Sequence, residues 1–127
     1  MKWPKKEEYR KKLSDRGINW PSAGFEVGPG WMNLVTKLLD NIISLGWDKD
    51  LHQIKQKFCG MRFYVGNASA EIRALIDKAE EKAHDICEYC GIEGLGGVDK
   101  VGMNLCPICE TISNFIHEER ISTYKTI

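Results

Sequence analysis

The chain has 127 residues, of which 43% are hydrophobic and 28% charged, with equal numbers of acidic and basic side chains. This composition indicates an ordinary soluble globular protein. No apolar stretch reaches the roughly 20 residues of a membrane-spanning helix, and no apolar segment typical of a secretion signal follows the basic N-terminus. We therefore expect a reducing, cytoplasmic setting and one domain over 1–127. It would comprise a helix and strand core over 1–86 and a metal-binding segment over 87–120 packed on that core.

The neutral total charge is unevenly distributed along the chain. Residues 1–66 carry 12 Lys and Arg against 7 Asp and Glu, a balance of +5. Residues 67–127 carry 6 against 11, a balance of −5. The first half can therefore attract an anion. The simpler interpretation is a basic first helix and an acidic second half that are only solvated.

The first elements follow from composition and periodicity. Residues 4–16 predict a short polar helix whose only apolar residues are Tyr9 and Leu13, so we expect it to dock weakly or fray. The Gly- and Pro-rich stretch GINWPSAGFEVGPGW predicts an extended, irregular segment. Helical spacing of apolar residues then predicts a strong helix over 29–45, ended by Gly46 and placed at the centre of the core.

The second half of the core is less uniform in its signals. Residues 48–58 fit either a short helix or the approach to a strand. The alternating stretch MRFYV at 61–65 predicts a strand with its three apolar residues facing inward. A helix over 69–86 begins at the N-cap Ser69. After the last cysteine a final helix is expected to bury Ile112, Phe115, Ile116 and Ile121.

Four of the five cysteines form two C-x-x-C pairs with fifteen residues between them, Cys87 with Cys90 and Cys106 with Cys109. In a reducing compartment this spacing favours metal over disulfide, and one Zn²⁺ is satisfied by a closed tetrahedron of four thiolates. A pair of redox dithiols is the alternative, although such motifs are usually single and lie in a βαβ unit. Four sulfur ligands leave no position for a catalytic water, so a structural zinc is predicted.

The order of elements around these cysteines resembles a treble-clef zinc finger over about 87–120: a knuckle, a Gly-rich hairpin region and a helix carrying the second pair. Some treble clefs are nucleases of the His-Asn-His type with a catalytic histidine on the hairpin, and this hairpin region has none. His117 lies on the helix without a partner that the sequence identifies, and His84 has no assigned role. The predicted fold is a mainly helical α+β domain with a short sheet or hairpin, and no enzyme activity is expected.

The stretch QIKQKFCGMRFYVG at 53–66 is the candidate binding region. Arg62 and Tyr64 share one face of the predicted strand, and the two lysines join that face only if a bulge or turn falls near Cys59. Cations and an aromatic ring together suit a nucleotide or a single-stranded nucleic acid. A solvated basic face, with the tyrosine packed on a helix, is the alternative. The candidate ligand residues are Lys55, Lys57, Arg62, Tyr64 and Trp31.

The interpretation of Trp31 and of Cys59 depends on the residues around them. Trp31 is included because it follows GPG at a helix start, where free backbone N–H groups can hold an anion. Cys59 is interpreted as a small buried residue, because a nucleophilic cysteine needs a base and His52 is merely the nearest in sequence.

Taken together, VGPGW at 27–31, KQKFCGMRFYV at 55–65, AEEKAHDICEYCG at 79–91 and LCPIC at 105–109 resemble a family of small, mostly uncharacterised bacteriophage and prophage proteins. Cys59 is a departure, because that family usually runs straight from the phenylalanine to the glycine. The resemblance implies an accessory phage gene. By analogy with such genes, it implies a factor that counters host defence by binding a host protein or sequestering a nucleotide messenger.

Three hypotheses follow in order of preference. The first is a zinc-stapled binding protein of phage origin that sequesters an anionic nucleotide or blocks a defence protein. The second is a nucleic-acid-binding zinc module, disfavoured by the neutral charge and the acidic second half. The third is a divergent nuclease, which needs a catalytic histidine and an open metal position.

Overall fold

The computed structural model describes residues 3–125 and the side chains of 3–123, so both ends of the expected 1–127 unit lie outside the described residues. Helix α1 (Lys6–Ser14) precedes strand β1 (Phe25–Glu26), and a short 3₁₀ turn (Pro29–Trp31) leads into helix α2 (Met32–Ser44). Strands β2 (Leu51–Lys57) and β3 (Gly60–Val65) form a hairpin, followed by helix α3 (Ala70–Ala83). The cysteine segment contains strands β4 (Gly97–Val98) and β5 (Asn104–Leu105) and helices α4 (Pro107–Thr111) and α5 (Ser113–Lys125).

The main sheet has the order β1-β2-β3, with β1 parallel and β3 antiparallel to β2. Strand β2 settles the ambiguity over 48–58 in favour of a strand. Strand β1 was not predicted, because two residues are too few to show an alternating pattern. The prediction of a small α+β domain with a C-terminal cysteine cluster is confirmed.

Apolar side chains form two separate clusters. The larger one joins α1, α2, the main sheet and α3, and its most deeply buried members include Trp31, Leu39, Ile42, Ile54 and Met61. The smaller one surrounds three of the four paired cysteines and also contains Trp3, Tyr89, Met103, Leu105 and Ile116. The metal segment therefore has its own small core beside the main one.

Helix α1 is bound more firmly than predicted. Both Tyr9 and Leu13 are completely enclosed, and the Tyr9 hydroxyl donates a hydrogen bond to the carbonyl oxygen of Val27 at 2.5 Å. The expectation of weak docking is wrong, because a single aromatic residue supplies both apolar area and a buried polar anchor.

Helix α5 differs from prediction in the opposite direction. Ile116 is buried as expected, but Ile112, Phe115 and Ile121 are exposed. The helix buries polar Ser113, and His117 on the same side makes a polar contact described below, so apolar periodicity was misleading here. Within residues 3–125, no helix combines the length and apolar character needed to cross a bilayer.

Candidate metal centre and ligand face

The four paired cysteines converge on one point. Their Sγ atoms all lie within 4.8 Å of one another, and the Cys90 and Cys106 sulfurs are 3.7 Å apart. Sulfurs bound to one tetrahedral zinc at about 2.3 Å lie about 3.8 Å from each other. All four are free thiols rather than disulfides. The group is therefore suited to a single structural zinc held by Cys87, Cys90, Cys106 and Cys109.

Local backbone structure places each pair. The first pair lies on a knuckle in which the Gly91 N–H donates to the Cys87 carbonyl at 3.0 Å, and Gly91 adopts a φ of +84°. Such a φ favours glycine. In the second pair, Cys106 precedes Pro107 at the first turn of α4. The pKa of Cys106 is lowered to about 7, because hydrogen bonds from the Cys109 N–H and the neighbouring thiols outweigh the effect of burial.

The thiols strongly influence one another. Burial, followed by the nearby Cys106 and Cys87 sulfurs, raises the pKa of Cys109, and burial likewise raises the pKa of Cys90. Four thiolates in this space repel one another unless a divalent cation compensates their charge. The donor set therefore fits zinc, which would fix the geometry of the knuckle and the start of α4 without an open position for water.

The stretch VGPGW packs directly against the knuckle. The Gly30 N–H donates to the Glu88 carbonyl at 2.7 Å, and the Trp31 indole donates to the Ile86 carbonyl at 2.9 Å. A Cβ atom at Gly30 would overlap the Cys87 carbonyl oxygen, and one at Gly28 would overlap that of Glu88. Both glycines are there because two backbone segments touch.

This contact corrects the prediction for Trp31, whose side chain has no exposed surface and is not available to a ligand in solution. The turn's amides are also occupied. Gly28 N–H donates to the Glu88 Oε2 at 2.9 Å, and the Trp31 N–H donates to the Gly28 carbonyl at 3.2 Å. The acceptor held at this helix start is the chain's own Glu88 carboxyl group.

His117 has a partner that the sequence did not reveal. Its Nε2 lies 2.9 Å from the Asp99 Oδ2, while the other oxygen of that carboxylate accepts the N–H groups of Val101 and Met103 at 3.0 and 2.9 Å. These donors hold the pKa of Asp99 below its usual value although burial alone would raise it. The pair fastens α5 to the tip of the β4–β5 hairpin, which is a structural use of the histidine.

The β2–β3 register determines the candidate ligand face. Lys55 lies opposite Arg62, Gln53 opposite Tyr64, and Lys57 opposite Gly60. Directly opposed residues share a face. The condition set by the sequence is therefore met, since the turn falls at Phe58–Cys59 and the two lysines lie on the same side as Arg62 and Tyr64. Met61, Phe63 and Ile54 point to the core on the other side.

Other charged groups border this face. Glu26 on β1 lies beside Lys55 in the parallel register, and Arg62 interacts electrostatically with Glu80 on α3. A cleft of about 470 Å³ runs along the β1–β2 side, and it is lined by Gln53, Lys55, Gln56 and Arg120 among others. Sequence reasoning missed Arg120, because nothing in the local pattern shows that α5 returns to the sheet.

Two of the remaining candidates, His52 and Cys59, lie far apart. His52 lies near the start of β2, where its Nε2 contacts Asp50 at 3.2 Å, whereas Cys59 follows the end of that strand. At about 3.3 Å per residue the intervening strand spans roughly 17 Å, so this histidine does not serve as a base for Cys59. His84 is exposed, and its ring lies against Gly60 rather than in the cysteine group.

No family model, curated protein or solved structure matches this chain. The resemblance to small phage proteins therefore stays a prediction.

Proposed function

We propose that this chain is a zinc-stapled binding protein that captures an anionic, nucleotide-type ligand on the outer face of its main sheet. The observation that carries the proposal is the cross-strand pair Lys55–Arg62, with Lys57 and the half-exposed Tyr64 on the same face. Guanidinium and ammonium groups bind phosphate, and a tyrosine ring offers a surface for a base.

The chemistry of the other groups supports binding rather than turnover. A four-sulfur site is closed to substrate. His117 is engaged by Asp99, and the nearest histidine in sequence to Cys59 is at the far end of its strand. The His84 ring lies against Gly60, next to Cys59, but among residues 3–123 no hydrogen bond joins the Cys59 thiol to a histidine. A nucleophilic mechanism needs such a pairing of nucleophile and base.

The biological role follows from the resemblance and is part of the proposal. A phage accessory protein of this kind would sequester a host nucleotide messenger and release it unchanged on denaturation. Recovery of a converted product from the complex would contradict this role.

The test is calorimetric titration of the full chain with adenine and guanine mononucleotides, cyclic dinucleotides and short oligonucleotides. Lys55→Ala combined with Arg62→Ala should weaken binding at least tenfold, the order expected for loss of two charge-assisted contacts. Lys12→Ala with Lys78→Ala removes the same net charge from exposed helix positions and should leave binding unchanged. Equal losses of affinity in the two double variants would mean that binding depends on the overall charge of the protein rather than on this face.

A second candidate function, obstruction of a host defence protein, is favoured by one observation. Of the eleven exposed large hydrophobic residues among those described, eight lie within 92–121: Ile92, Leu95, Val98, Val101, Ile108, Ile112, Phe115 and Ile121. This candidate requires that these residues form one contiguous patch, the arrangement that is typical of protein interfaces. Ile108→Asp should then abolish the antagonism of host defence without changing zinc content, whereas the Lys55 and Arg62 substitutions should not affect it.

A further inference from the structure

The β2–β3 hairpin turns through two residues that are poorly suited to it. Phe58 and Cys59 have φ values of +51° and +63°. Two consecutive positive values characterise the type I′ turn, in which Asn-Gly is strongly preferred. A bulky residue in this region is an outlier, and such strain is commonly found where a side chain serves a function.

The turn presents its aromatic ring to solvent. Phe58 is 78% exposed, more than any other large hydrophobic residue described. The turn itself is fixed, since the Cys59 N–H donates to the Gly102 carbonyl at 2.9 Å and the Gln56 side-chain amide donates to the same oxygen. The exposed ring is therefore attached to a backbone that hydrogen bonds hold in place, and less conformational entropy is lost when a ligand binds it.

Cations accompany the ring along the hairpin. The Lys57 Nζ lies 5.7 Å from the Phe58 ring centroid, and the Lys55–Arg62 pair lies two residues further along. Tyr64, opposite Gln53, follows at the far end of the face. From the Lys57 pair to the Gln53 pair the distance is about 13 Å. That length exceeds one nucleotide and corresponds to about four at the 3.4 Å spacing of a fully stacked strand, or to fewer in an extended strand.

We infer that Phe58 is a base-stacking residue and that the ligand class of this face is a single-stranded oligonucleotide rather than a mononucleotide. Bases stack on Phe58 and Tyr64 at the two ends, and the phosphates between them contact Lys57, Lys55 and Arg62. The inference rests on the proposed function, because it names the ligand of the same face. The three cations outnumber the two carboxylates that border the face, Glu26 and Glu80, and the remaining positive charge favours a nucleic-acid strand over an apolar protein segment.

The test is fluorescence anisotropy of labelled dT8 with the full chain over a range of salt concentrations, with a labelled mononucleotide for comparison. Contacts to about three phosphates give a slope of roughly −2 in log affinity against log salt. Phe58→Asn should weaken dT8 binding about tenfold without changing that slope. Lys57→Ala should reduce the slope by about 0.7.

Stability separates recognition from folding. Asn suits a positive φ better than Phe, so Phe58→Asn should melt at the same temperature as wild type or higher. Cys59→Gly relieves the turn without removing the ring, so it should melt higher and bind dT8 normally. Phe58→Tyr should retain affinity because it retains the ring.

The outcomes divide clearly. A mononucleotide bound as tightly as dT8, with Phe58→Asn neutral, overturns the oligonucleotide inference and leaves the proposed function standing. Absence of binding to every nucleotide and oligonucleotide removes both. Loss of affinity in Phe58→Tyr equal to that in Phe58→Asn also overturns the stacking role.

Discussion

Two buried carboxyl groups, those of Asp99 and Glu88, have pKa values that are shifted in opposite directions. Asp99 accepts two backbone N–H groups and faces His117, which favours its charged form. Glu88 is equally buried but accepts only the Gly28 N–H, and its Oε1 has no hydrogen-bond partner among the described residues. Burial raises the pKa of Glu88 to about 7, against the opposing effects of Gly28 and Arg120.

The raised pKa of Glu88 predicts a pH-dependent stability. The folded state holds this proton up to about pH 7, whereas the ordinary value is 4.5. Its contribution is therefore fully present below pH 4.5 and is lost as the pH rises through 7. Glu88→Gln keeps an acceptor for the Gly28 N–H and cannot ionise. We expect its free energy of unfolding, relative to wild type, to rise by about 1 kcal/mol between pH 6 and pH 8.5.

The measurement is urea unfolding at both pH values with saturating zinc, so that thiol protonation affects both proteins alike. Glu88→Ala serves as the control, because it removes the charge and also the acceptor for Gly28. It should be less stable than Glu88→Gln at each pH. Parallel pH profiles for wild type and Glu88→Gln would show that Glu88 ionises normally.

At the scale of elements, prediction succeeded where burial follows a local period. Helices α2 and α3 and strand β3 each show their buried face in the sequence. Ser69 caps α3 as predicted, accepting the Ile72 N–H at 3.2 Å. The sequence did not predict strand β1, because its pairing partner β2 lies almost thirty residues later in the chain. The prediction of which α5 residues are buried was wrong, because a polar pair, His117 with Asp99, anchors this helix in place of an apolar stripe.

The contact between the VGPGW turn and the cysteine knuckle predicts a glycine requirement that has nothing to do with backbone conformation. Gly30 has no positive φ, but a methyl group there would meet the Cys87 carbonyl and the Gly91 N–H. Gly30→Ala should therefore lower the free energy of unfolding by about 3 kcal/mol, the upper part of the range for overpacking. Thermal or urea unfolding of the zinc-loaded protein measures it.

Gly97→Ala is the matched control for Gly30→Ala. Gly97 also lacks a positive φ, and a methyl group there would meet only the Leu105 carbonyl at 3.8 Å, an ordinary contact. Its stability should remain within about 0.5 kcal/mol of wild type. Similar losses in both variants would mean that the Gly30 effect comes from general backbone properties rather than from the close contact.

At the scale of the whole molecule, the metal ligands were predictable and the ligand face was only partly so. The spacing of C-x-x-C pairs is local, so Cys87, Cys90, Cys106 and Cys109 follow from the sequence alone. The alignment of Lys55 with Arg62 depended on where the hairpin turned. The exposure of Phe58 at the turn and the position of Arg120 beside the cleft arise from tertiary structure, which no local period encodes.

The two apolar clusters predict an uneven response to metal removal. The main cluster contains twenty buried residues and none of the four paired cysteines, whereas three of the eight members of the second are cysteines. Without zinc, close thiols repel or protonate and the second cluster loses its centre. We expect a chelator to accelerate amide exchange across 87–112 and the 28–31 turn, while α2 and β2–β3 stay protected. Cys106→Ser should reproduce this pattern, and Cys59→Ser should retain one zinc per chain.

Hydrogen exchange read by mass spectrometry resolves the segments. Equal loss of protection in α2 would mean that the main core also depends on the metal, and unchanged exchange in 87–112 would rule out a structural role for zinc.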